Sequence, residues 1–76
     1  MEVDSIRLLA IAGVIAIGTM LPAVSIGWIG SSAVKSIARN PEAASKVQTA
    51  MVLAIAFAEA VAIYALVVAL VLKFVV

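Results

Sequence analysis

The chain offers few groups that could do chemistry, and one of them sits in an unusual place. Three of its four acidic residues, Glu2, Asp4 and Glu42, lie in polar flanks; the fourth, Glu59, lies in the middle of the apolar run Val47 to Leu72. There is no histidine and no cysteine. That removes the usual neutral-pH base, thiolate metal ligands and any disulfide framework. No catalytic constellation remains, so a non-enzymatic role is expected, with no metal centre and no cofactor. Inside a bilayer an ionised carboxylate costs about 3 kcal/mol or more. Removal from water disfavours the charged form, so Glu59 is expected to rest protonated and to ionise only where water or a cation reaches it. No lysine or arginine of the chain shares its depth. Interhelical glue in membranes is usually Ser, Thr, Asn or Gln. A lone carboxyl there reads as an ion carrier.

What must position Glu59 is a membrane helix. The chain has 76 residues, of which 67% are hydrophobic and 12% charged, and its mean hydropathy is +1.35. A soluble domain carries about 25% charged residues. The uncharged run Leu8 to Val34 and the run Val47 to Leu72 each exceed the ~20 residues that span a bilayer. Two segments cannot close a barrel, so both are read as helices. The expected fold is an all-α membrane protein, a two-helix transmembrane hairpin that forms a single unit over residues 1–76. Helix one is expected over about 5–39, a polar loop over about 39–42 and helix two over about 42–75. A signal peptide is disfavoured because Glu2 and Asp4 precede Arg7 and the apolar run is too long. The net charge of +1 is too small for nucleic-acid binding.

Pro41 disfavours a helical conformation at Asn40, so helix one should end near Arg39. Asn40 then serves as N-cap, with Pro41 as first helical residue and Glu42 set against the dipole of helix two. The loop region holds Lys35, Arg39 and Lys46 against Glu42, whereas the termini carry Glu2 and Asp4 against Arg7 and Lys73. The positive-inside rule places the loop in the cytoplasm and both termini outside. With Met1 at the start and no transit segment, a bacterial inner membrane is the expected location.

Helix one carries small residues at Ala12, Ala16, Thr19, Ala23, Gly27 and Gly30, and helix two at Ala58, Ala62, Ala65 and Ala69. Steps of three and four put each set on one helical face, where small side chains let backbones approach closely in lipid. The hairpin is therefore expected to pack against further helices. Pro22 lacks an N–H and frees the carbonyl of Gly18, so a modest bend is expected there. Trp28 is assigned to packing.

The segment Arg39-Asn40-Pro41-Glu42, with Glu59 following in Ala56-Phe57-Ala58-Glu59-Ala60-Val61-Ala62-Ile63-Tyr64, resembles the proteolipid that builds the rotor ring (the c-ring) of F-type ATP synthases. The likeness covers essentially the whole chain. Asn40 stands where the family usually has Gln, and Leu21, Ala23 and Ser25 thin the family's glycine-alternating stretch. The resemblance implies a closed ring of identical hairpins, helix one inside and helix two outside. It implies that Glu59 binds the ion and meets an arginine of the stator's membrane subunit. Arg39, Asn40 and Pro41 would dock the gamma and epsilon subunits of the central stalk, and membrane lipid would surround the ring.

Sodium-binding members of that family resemble one another in a helix-one Gln and a hydroxyl residue directly after the carboxylate. Here those positions are Ile26 and Ala60, with Val61 following. Hard cations need several oxygen ligands; a proton needs the carboxyl and one acceptor. Supporting groups are the backbone carbonyl of Phe57, the Tyr64 hydroxyl reaching in from an adjacent hairpin, and the Ser25 hydroxyl. Protons are favoured, with a sodium rotor as the alternative. A four-helix proton-coupled exporter also centres on one Glu but needs more spans, and a non-transporting hairpin scaffold needs neither the loop motif nor the mid-depth carboxylate.

Overall fold

The computed structural model describes residues 2–76. Helix α1 spans Val3–Arg39, a 3-10 turn spans Pro41–Ala43 and helix α2 spans Ala44–Phe74. The two helices fold back on each other as a hairpin 58 Å long. Both are long and apolar enough to cross a membrane.

Helix α1 ends at Arg39, where Pro41 was expected to stop it. Asn40 leaves the helical region (φ −142°, ψ 81°), and its N–H donates to the Ser36 carbonyl at 3.0 Å. The second helical run opens at Asn40 and Pro41, with Glu42 in its first turn, but that turn is 3-10 rather than α. Pro41 and Glu42 lie in the 3-10 turn, closed by the Ala43 N–H donating to the Asn40 carbonyl, and α2 begins at Ala44. Asn40 makes no side-chain cap bond. A capping side chain needs an extended backbone behind it, and a ψ of 81° falls short of that. At the other end, α1 starts at Val3, two residues earlier than expected, with Asp4 in its first turn and 3.9 Å from Arg7. α1 continues without a break through Pro22.

The helices meet along a line of small residues. Pro22 and Ala33 on α1 and Ala69 on α2 are buried. A Cβ built on Gly18 would lie 2.5 Å from the Ala65 Cβ. The small-residue stripe of α2 thus faces α1. The stripe of α1 does not face α2: Ala12, Ala16, Ala23 and Gly27 are exposed, and that line lies about 100° round the axis from Gly18 and Pro22. Meanwhile Leu8, Ile17, Leu21, Phe57, Leu66 and other large apolar side chains point outward. In water so much exposed apolar surface would drive aggregation; in lipid it costs nothing. Helix contact in lipid then rests on dispersion across the close approach.

Candidate ion-binding site

Glu59 is the middle residue of α2. At 1.5 Å per residue each half of α2 is about 22 Å long, so a helix that crosses a ~30 Å hydrocarbon core holds this carboxyl close to mid-depth. Lys46 and Lys73, the cations of α2, sit near its two ends. Lys73 rests its ammonium 5.2 Å from the Phe74 ring. Within one hairpin Glu59 is exposed and has no ion-pair partner among the described residues.

The hairpin presents two unlike flanks. The helices run antiparallel, so side chains displaced in the same rotational sense from the contact line emerge on the same flank. Two grooves between the helices lie on the first. One, of about 460 Å³, is lined by Gly13, Val14, Ile17, Gly18, Tyr64, Ala65 and Val68; another, of about 420 Å³, opens nearer the loop beside Trp28 and Met51. Tyr64 (71% exposed) and Phe57 (73% exposed) point to this flank. Glu59 is displaced from the Ala65–Ala69 line the other way by about 90°. It therefore shares the second flank with the exposed small stripe of α1.

This geometry separates the expected supporting groups within one chain. Tyr64 is five residues beyond Glu59 and about 140° away round the axis. Ser25, half-buried on α1, lies level with Glu59, by counting from the Gly18–Ala65 approach, but leans toward the groove flank. Helix α2 is unbroken through Phe57, so its carbonyl carries a helical bond and has only a second lone pair to offer. A single hairpin brings none of the three to Glu59. Arg39, Asn40 and Pro41 are exposed together at the hairpin tip.

Two unlike flanks, a mid-depth carboxyl on one of them and a polar tip define a two-helix membrane hairpin with long apolar surfaces. The family model for the ATP synthase C subunit matches residues 9–72. The ATP synthase c subunit of Dehalococcoides mccartyi is 45% identical over 75 residues, covering 99% of both chains. That of Clostridium acetobutylicum is 48% identical over 64 residues (84% of this chain, 79% of its own). That of Chloroflexus aurantiacus is 44% identical over 71 residues, 93% of each. The chain belongs to the ATP synthase C-subunit family. It is a non-catalytic membrane component of the rotor, of a family that assembles as rings.

Proposed function

We propose that the chain translocates protons on Glu59 and so couples ion flow to rotation of the ring and to ATP synthesis. The observation that carries this is the position of Glu59, the only acidic residue inside either apolar span, at the middle of α2. A protonated Glu59 is neutral and can face lipid. An ionised one is tolerated only beside a cation and water, which an arginine of the stator's membrane subunit and its half-channels supply. Each charge moved through 100 mV yields about 2.3 kcal/mol, so several steps are summed for each ATP.

A ring puts the flank bearing Glu59 of one copy against the groove flank of the next. Ser25 of the neighbour then comes level with the carboxyl, the neighbour's Tyr64 reaches toward it along its side chain from about 7.5 Å further along the axis, and the second lone pair of the Phe57 carbonyl supplies an acceptor. Those groups suffice for a proton. Ile26, Ala60 and Val61 give no oxygen side chain for a sodium shell. Arg39, Asn40 and Pro41 at the exposed tip dock the gamma and epsilon subunits of the central stalk. The excess of Lys35, Arg39 and Lys46 over Glu42 supports a cytoplasmic tip.

Carbodiimide attacks a protonated carboxyl in an apolar setting, and its product is located by mass spectrometry. On the purified assembly, labelling of Glu59 should fall as pH rises and should ignore sodium. Protection by sodium would replace the proton by sodium on the same rotor. Absence of any Glu59 adduct would sink the ion-carrier role.

A further inference from the structure

A closed ring needs a heterologous contact, in which one surface of each copy meets a different surface of the next. Rotation about the membrane normal also keeps every residue at its own depth. Each side chain therefore meets what lies level with it on the facing flank. Counting from the Gly18–Ala65 approach along antiparallel helices puts Ser36 level with Val47. The loop-side groove agrees, because Ser36 and Val47 both line it. Gln48 is thus level with Ser36 to within one residue.

The loop-side groove is apolar apart from two hydroxyls. Trp28, Ala33, Val47 and Met51 wall it, and Ser32 and Ser36, one helical turn apart, open into it. Two hydroxyls of the hairpin bond within their own helix: Thr19 to the Ile15 carbonyl at 2.7 Å and Thr49 to the Ser45 carbonyl at 3.0 Å. Among the described residues Ser32 and Ser36 have no such bond. On the other flank Gln48 is exposed and stands three turns from Glu59 on nearly the same line of α2, since eleven residues make about 20° beyond three full turns. It lies about 16 Å from Glu59 along the axis, at the edge of a ~30 Å hydrocarbon core. Water is thinning there, and an unpaired amide in an apolar seam is costly.

We propose that Gln48 of each copy enters the loop-side groove of the next copy and hydrogen-bonds Ser36, with Ser32 as second partner. The occupant is a second copy of this chain, because the groove flank is the surface that a ring turns toward the flank bearing Gln48. The inference rests on the ring assembly of the family. An amide gives two donors and a carbonyl acceptor, and serine both donates and accepts, so the pair satisfies both sides. The seam gives an otherwise apolar contact a direction and a register: one flank carries the amide and the other the hydroxyls.

The chain has no native cysteine, so introduced thiols report only on the seam. The double variant Ser36→Cys with Gln48→Cys is assembled in membranes and treated with an oxidant or a short bifunctional thiol reagent. A ladder of multimers up to the closed ring on a denaturing gel is expected, and each single variant should stay monomeric. Dimers from Gln48→Cys alone would mean that like flanks meet, and would overturn the proposal. So would a ring of normal mass whose double variant stays monomeric, as a groove filled by lipid would give. Absence of a ring from the unmodified chain, by native mass spectrometry, would instead sink the family-based premise. A second measurement guards against loss of folding. Gln48→Ala and Ser36→Ala should each lower the temperature at which the ring dissociates in detergent, and the double variant should lower it no further. Additive losses would overturn the pairing.

Discussion

Gly18 and Ala65 meet so closely that a methyl on Gly18 would stand 2.5 Å from the Ala65 Cβ. The Ala65 Cβ is fixed to its backbone and cannot rotate away. Relief would require the helices themselves to part. Four residues on, Pro22 is buried in the same contact, and its missing N–H leaves the Gly18 carbonyl without its helical donor. The depth register of the hairpin, and with it the level of Glu59 relative to α1, is set at this point.

Gly18→Ala should therefore destabilise the hairpin by about 1–3 kcal/mol, the usual cost of overpacking. Ala65→Gly in the same chain should restore much of the loss, because it removes the opposing methyl. Thermal dissociation of the detergent-solubilised ring reads both variants. A Gly18→Ala ring as stable as the parent would show that the contact has slack.

Glu59→Gln keeps the shape and hydrogen bonding of the neutral acid but cannot release a proton. Rings should form at normal yield and dissociate at the parent temperature, while ATP-driven proton pumping in vesicles falls to background. Normal pumping by this variant would remove Glu59 from the mechanism.

The fold was largely legible because lipid leaves the chain few options. Two apolar runs longer than a bilayer is thick, separated by Asn40-Pro41, must be a helical hairpin, and α1 ends at Arg39 as Pro41 requires. The 3-10 form of the first turn after Asn40 was not legible. The choice between i+3 and i+4 bonding over Pro41–Ala43 is settled by small differences that no residue there forces. Nor did the spacing of Ala12, Ala16, Ala23 and Gly27 reveal which neighbour they face. Small residues at steps of three and four announce a close approach, yet α2 is met by Gly18, Pro22 and Ala33 instead. Glu59 was legible because a carboxyl in an apolar run is costly wherever the run folds. Ser25, Tyr64 and Gln48 were harder, since the partners proposed for them lie on another copy.

Tyr64→Phe tests whether the neighbour's hydroxyl attends the carboxyl. A hydroxyl that holds the carboxyl as a hydrogen-bond partner also shields it from the reagent. At one fixed pH carbodiimide should then label Glu59 faster in Tyr64→Phe than in the parent ring, with assembly unchanged. An identical labelling rate would leave Tyr64 only a packing role.

Arg39 stands with Asn40 and Pro41 at the exposed tip, beyond the apolar span and clear of the helix contact. Removing its charge should not disturb the ring. Arg39→Ala rings should assemble normally and label at Glu59 as the parent does, because the carboxyl lies many turns away along the hairpin. Docking of the soluble head is a different matter. Loss of one charge-assisted hydrogen bond costs about 1.5–3 kcal/mol, and ~1.4 kcal/mol is tenfold in affinity. The head should bind roughly ten- to a hundredfold more weakly, by sedimentation with ring-containing vesicles, and ATP-driven pumping should fall in step. Pro41→Ala should do less, because it relaxes the turn without removing a charge. Full head binding by Arg39→Ala would move the docking surface elsewhere.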